Sequence, residues 1–296
     1  MTKTAWVFPG QGSQAVGMGA DLVDLPGAIA KFESAAAVLG WSVPAICQND
    51  DDKVSRTLYT QPCLYVIESI LVDALQQRGH HPALVAGHSL GEYVALYAAG
   101  VFEFEAGLQL VQRRAELMDA ASEGMMAALI GFDPEQLEAA LAATPDAVLA
   151  NDNNAGQVVI SGTPSAIEAV MGIVKTKRAV KLNVSGAFHS PLMAAAAAEF
   201  ETVLNATPFQ AATVPVLSNV DPTPSIEADV LKTRLAQQMT GSVRWREISL
   251  HLAEAGVKQV MEVGPGKVLT GLVKRTCPGM ALENIGAIAD LDRLSV

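Results

Sequence analysis

The chain has 296 residues, 50% of them hydrophobic and 17% charged, with a net charge of −11. That length and apolar content suit one large domain, or a large domain carrying an insertion. The acidic balance argues against nucleic-acid binding, which takes clustered Lys and Arg, and no apolar run reaches the roughly 20 residues of a membrane helix.

The first predicted elements are a strand over 4–8 and a helix from about 17 to 39. The N-terminus lacks the basic start and long apolar centre of a signal peptide, so export is not expected. Cys47, Cys63 and Cys277 are scattered, with no C-x-x-C pair. They point away from a disulfide framework or zinc site and toward a reducing cytoplasm. A helix over 61–78 follows. Residues 83–86 then form a short apolar run fit for a buried parallel strand, and 92–99 repeat their apolar positions at helical spacing up to Gly100.

Between that strand and helix lies Gly87-His88-Ser89-Leu90-Gly91. A G-x-S-x-G turn from strand to helix holds its serine strained at the sheet edge, above a helix N-terminus whose free N–H groups suit a developing oxyanion. A plain turn with a capping serine has the same pattern.

A helix is expected over 104–121. Between 124 and 187 the rhythm shortens to strand 125–130, helix 134–143, strand 147–151, strand 157–161, helix 164–177 and strand 179–184. This β-α-β-β-α-β order predicts a ferredoxin-like subdomain over 124–187, inserted into a large α/β domain made of 1–123 and 188–296. The large domain resumes with a strand over 214–217, a strand over 259–263, the turn Glu262-Val263-Gly264-Pro265-Gly266 and a helix over 267–275.

A serine nucleophile needs a base within hydrogen-bond reach. His80 and His81 read as loop residues, and His251 as the opening of an ordinary helix. His88 adjoins Ser89 but should point elsewhere, in a structural or oxyanion-adjacent role. His189, in the turn-rich stretch 185–191, could enter a cleft between the two parts or be a loop histidine. No acidic third member is evident: Asp119, Asp133, Asp146 and Asp152 fall in helices or in the insert, so a carbonyl could orient the histidine instead. Of Arg113 and Arg114, one should face inward, and a buried arginine implies an anion. The Lys175, Lys177, Arg178, Lys181 cluster could receive an acidic partner or form a solvated helix end.

Taken together, Phe8-Pro9-Gly10-Gln11-Gly12-Ser13-Gln14, Thr60-Gln61-Pro62, Gly87-His88-Ser89-Leu90-Gly91-Glu92-Tyr93 and Arg114 resemble the malonyl-CoA:acyl carrier protein transacylases and the related acyltransferase domains of polyketide synthases. The likeness continues through residues 151–162, Gly186-Ala187-Phe188-His189-Ser190, Ser218-Asn219-Val220, Gln238, Val243-Arg244-Trp245 and Glu262-Val263-Gly264-Pro265-Gly266. It implies an α/β-hydrolase-like large domain and a ping-pong malonyl transfer to the phosphopantetheine thiol of an acyl carrier protein, for fatty acid biosynthesis or a polyketide pathway. Ser89 would be acylated by malonyl-CoA and His189 would be its base. The Gln238 carbonyl would orient His189, and the Gln11 and Leu90 N–H groups would form the oxyanion hole. Arg114 would clamp the malonyl carboxylate, with Gln61, His88 and Asn153 lining the pocket. Phe188 would crowd an α-methyl group and disfavour methylmalonyl.

The resemblance further implies no cofactor or metal, no nucleic-acid or membrane partner, and action as a cytoplasmic monomer. Carrier proteins are acidic, so Lys175, Lys177, Arg178 and Lys181, with Lys274 and Arg275, become candidates for docking. Arg114 counts against a plain serine hydrolase, for which a cationic clamp has little use, and the three residues together count against a non-catalytic scaffold.

Overall fold

The computed structural model describes residues 2–49, 52–121, 123–184 and 186–294. Its first unit is built on β1 (Thr4–Phe8), α1 (Ala28–Leu39), α2 (Val43–Cys47), α3 (Thr57–Gln77), β2 (Leu84–Gly87), α4 (Gly91–Ala98) and α5 (Phe104–Ala120). The chain then forms β3 (Met125–Ile130), α6 (Pro134–Ala142), β4 (Ala147–Asn154), β5 (Gln157–Gly162), α7 (Pro164–Ile173) and β6 (Arg178–Lys181). It returns to the first unit with α8 (Ala194–Ala206), β7 (Val216–Leu217), α9 (Ala228–Gln237), α10 (Trp245–Glu254), β8 (Gln259–Val263), α11 (Val268–Thr276), β9 (Ala281–Ile285) and α12 (Ile288–Leu291).

The large sheet has the order β7-β2-β1-β8-β9, and every pair in it is parallel. Strand periodicity splits its side chains between two cores. Ala5, Val7, Leu84 and Ala86 face Trp245, Ile248 and Leu272 on one side, whereas Trp6, Phe8 and Val85 join the helical core of α3 to α5 on the other. Burial on both faces explains why these strands read as unbroken apolar runs. The small sheet has the order β4-β5-β3-β6, antiparallel throughout, which is the ferredoxin-like arrangement. It packs α6 and α7 against its own core of Leu129, Leu137, Ile160 and Ile167. The chain enters and leaves this unit side by side: a Cβ on Gly124 would meet the Ala187 nitrogen at 2.3 Å.

Several elements depart from the sequence expectations. The helix expected from residue 17 begins only at Ala28, because Gly17, Gly19 and Gly27 all adopt positive φ and turn the chain instead. The helix expected from 61 starts at Thr57. Pro62 lies inside it. The helix expected to reach 177 stops at Ile173, and the strand expected to reach 184 stops at Lys181. His251 lies in the last turn of α10 rather than at its start, beside Glu254.

Candidate active site

The turn between β2 and α4 is drawn tight by packing against β1. A Cβ on Gly87 would lie 1.9 Å from the Gly91 carbonyl carbon, and one on Gly91 would lie 2.0 Å from the Phe8 oxygen. Only glycine fits either position. Between them Ser89 holds φ 53°, a left-handed conformation that costs a non-glycine residue of order 1–3 kcal/mol. Asn219, just past β7, sustains it: its Oδ1 accepts from the Ser89 N–H at 2.7 Å and its Nδ2 donates to the Gly87 carbonyl at 2.6 Å.

The Ser89 hydroxyl lies 2.8 Å from His189 Nε2. Two carbonyls, of Gln238 at 2.9 Å and Gly241 at 3.1 Å, face His189 Nδ1. Both are acceptors, so Nδ1 carries the hydrogen and Nε2 is left to accept from the serine. Like Ser89, His189 has positive φ, at 57°. Burial first, and the Arg114 charge second, push its pKa down to about 3, so the imidazole is neutral in the resting protein, with Nε2 unprotonated.

Arg114, on the inner face of α5, is 1% exposed, whereas Arg113 faces outward to Glu116 and Glu199. The buried guanidinium donates to Gln61 Oε1 at 2.8 Å, to Ser89 Oγ at 3.0 Å and to Gln238 Oε1 at 3.1 Å, and lies 5.4 Å from the Tyr93 ring centre. All these partners are uncharged. The cation therefore lies in the cleft beside Ser89, with no carboxylate lining the cavity among the described residues.

That cavity encloses about 80 Å³, room for a small acyl group only. Gln11, Gln61, His88, Leu90 and Phe188 line it, as do Met118, Met126, Leu182 and Val184, so both units contribute. The Gln11 and Leu90 N–H groups have no acceptor among the described residues. Asn153 is not in the wall. Its Oδ1 accepts from His88 Nε2 at 2.9 Å, and Asn151 on the same strand faces the cavity in its place. Two residues apart, Asn151 and Asn153 would share a face in a regular strand; the register shift between Asp152 and Asn154 gives them different neighbours.

The acidic residues considered for a triad lie elsewhere. Asp119 pairs with Arg56, Asp152 with Arg246, and Asp133 caps α6. Ser185 lies outside the described residues. The basic cluster is spread along an edge strand: Lys175 and Lys177 border a separate surface groove with Asp133 and Glu135, Arg178 opens β6, and Lys181 pairs with Glu168. At about 3.3 Å per residue, β6 separates Lys177 from the cleft-lining Leu182 by its whole length. Lys274 and Arg275 occupy the last turn of α11, which runs back from the strand end carrying Gly264. They lie toward the opposite sheet edge from Ser89.

Fold and site define a class: a two-part α/β enzyme whose cleft joins a strained serine, a carbonyl-oriented histidine and a buried arginine. Residues 5–288 match the acyl transferase domain family, and the chain belongs to it. It is 59% identical to a malonyl CoA-acyl carrier protein transacylase of Synechocystis over 99% of this chain and 100% of that protein. The crystal structure of a Synechocystis malonyl-CoA:ACP transacylase superposes with a TM-score of 0.97, at 59% identity, covering 99% of this chain and 100% of the other. A malonyl-transacylase solved in complex with its type II polyketide acyl-carrier protein gives a TM-score of 0.93 at 36% identity, with 98% of each chain covered. A similarly named transacylase of Escherichia coli is 40% identical over 98% of both chains.

Proposed function

We propose that the protein moves the malonyl group of malonyl-CoA onto the phosphopantetheine thiol of an acyl carrier protein, through an ester on Ser89. The observation that carries this reading is the Ser89 hydroxyl itself, 2.8 Å from a neutral histidine and 3.0 Å from a buried arginine with no charged partner in the cleft.

In the first half-reaction Ser89 Oγ attacks the thioester carbonyl as His189 Nε2 takes its proton. The Gln11 and Leu90 N–H groups stabilise the oxyanion, a contribution of about 2.7–4 kcal/mol for one such donor. Arg114 turns from Ser89 to the malonyl carboxylate, a shape its planar fork matches. The imidazolium returns its proton to the departing CoA sulfur. In the second half the carrier's thiol gives its proton to His189, attacks the ester and restores the serine. Gln61 and His88 shape the wall, and Phe188 excludes an α-methyl branch. Asn153 acts by steadying His88.

The test is sequential. Incubation with malonyl-CoA should add one malonyl group to the protein by intact mass, and holo carrier protein should then carry it away. An adduct that persists in Ser89→Ala, or that water removes as fast as the carrier does, sinks the reading.

The carrier is expected to touch the ridge of Lys175, Lys177, Arg178 and Lys181, with Lys274 and Arg275 as a more distant contact. Charge reversal at Lys177 and Arg178 should raise KM for the carrier and leave CoA loading alone. The domain division 1–123 with 188–296, and 124–187, is supported by the adjoining Gly124 and Ala187 backbones. No helix among the described residues is long and apolar enough to cross a membrane, and no group of metal ligands occurs among them. Free Cys47, Cys63 and Cys277 support a reducing cytoplasm, where the enzyme would serve fatty acid or polyketide synthesis as a monomer with no cofactor of its own.

A further inference from the structure

A carboxylate stands behind the cleft, one turn past the nucleophile. Glu92 is wholly buried in the first turn of α4. Its Oε2 accepts from Gln238 Nε2 at 2.7 Å and from the Asn219 N–H at 3.1 Å. Burial raises the Glu92 carboxyl above its ordinary range, and the donors of Gln238, Asn219 and Ser218 together with the Arg114 charge oppose that rise and favour the carboxylate.

The two donors to Oε2 belong to the residues that hold the site. Asn219 supports the strained Ser89 backbone. Gln238 Nε2 faces two acceptors, Glu92 and the Ser89 carbonyl at 2.9 Å, which leaves its Oε1 to accept from Arg114 and its backbone carbonyl to receive His189. Glu92 and the Ser89 carbonyl thus fix the side-chain amide whose oxygen receives the cation, and the backbone carbonyl of the same anchored residue receives the base. The charge of Glu92 also acts on Arg114 through the dry interior.

We propose that Glu92 is a positioning residue and the buried counter-charge of the site, acting on Arg114 and His189 through Gln238 and so filling the place of the missing acidic triad member. The inference rests on the Ser89 acylation reading. In the resting protein the Glu92 and Arg114 charges cancel. A malonyl carboxylate then adds one negative charge, which the imidazolium balances as the serine attacks. Removing the Glu92 charge while keeping its shape strengthens the hold on a carboxylate and disfavours the imidazolium.

The test compares Glu92→Gln with the unaltered protein in malonyl and acetyl loading from CoA. Glu92→Gln should lower kcat for both substrates at least tenfold and raise the malonyl-to-acetyl ratio of kcat/KM. An unchanged kcat, or a lowered ratio, overturns the inference. Melting temperatures of Glu92→Gln, Arg114→Gln and the double variant provide the second measurement. Each single variant leaves one buried charge unpaired, so the double should lose less than the sum of the two, and additive losses overturn the pairing. Should Glu92→Gln fail to fold, recovery of a cooperative melt in the double variant supports the proposal, and no recovery overturns it. If the unaltered protein takes up no malonyl group, the underlying reading of Ser89 fails instead.

Discussion

The Arg114 guanidinium donates to the Ser89 hydroxyl at 3.0 Å, so the group expected to hold the far end of the substrate rests on the nucleophile. Ser89 and Arg114 therefore form one hydrogen-bonded unit, and under the proposed function malonyl binding would exchange that contact for one with a carboxylate.

Arg114→Ala should cost malonyl transfer about 2–5 kcal/mol, the usual loss when one partner of a shielded charge pair is removed. Acetyl transfer, which uses no clamp, should lose much less. The measurement is the malonyl-to-acetyl ratio of kcat/KM, and an unchanged ratio would remove Arg114 from acyl recognition.

The pH dependence follows from His189. Its pKa in the free protein is pushed down to about 3 by burial and then by Arg114. A bound malonyl carboxylate adds a negative charge to the site, so the pKa rises in the complex. Since kcat/KM reports the free enzyme and kcat the complex, the acid limb of kcat should lie at higher pH than that of kcat/KM. Coincident limbs would contradict this electrostatic account.

The same depressed pKa links to stability. An unfolded histidine titrates near about 6.5, so below that pH the unfolded chain binds a proton that the native chain refuses. Stability contributed at higher pH is lost as pH falls from about 6.5 toward the native value. His189→Gln should flatten that slope in melting temperature against pH, and an identical slope would mean that other groups govern acid unfolding.

Two glycines should respond oppositely to alanine. Gly91→Ala drives a Cβ into the Phe8 and Pro9 carbonyls and should cost about 1–3 kcal/mol along with malonyl loading. Gly271→Ala, in the exposed interior of α11 with nothing near its Cβ, should stabilise by about 0.5–1 kcal/mol and leave loading alone. Thermal melts and intact mass read both.

Phe188→Ala should admit methylmalonyl, because the ring is part of the wall of an 80 Å³ cavity. Competition between malonyl-CoA and methylmalonyl-CoA, followed by mass, checks it, and unchanged selectivity would assign the exclusion elsewhere.

Much of this was legible in the chain. Strand and helix periodicity located most elements through β6 and then β7, β8 and α11 but not α2, α8, α9, β9 or α12, and G-x-S-x-G marked a turn that the close packing of Gly87 and Gly91 requires. Sequence pattern also showed that one of Arg113 and Arg114 faces inward, and the β-α-β-β-α-β order named the small unit. The misjudged helix start at Ala28 reflects glycines whose positive φ is invisible in an apolar pattern.

The rest belonged to tertiary structure. Periodicity and capping act within a turn or two, and so they can be read from neighbours in the chain. The contacts that make the site join residues far apart in it: Ser89 with His189, Arg114 with Gln238, Glu92 with Asn219. Which carbonyl receives the histidine, which arginine is buried, and that Glu92 stands behind both are decided by packing of the β2–α4 turn against β1, α5 and the segments after β6, β7 and α9, because only burial among those elements brings such distant groups within hydrogen-bond range and leaves their charges unscreened.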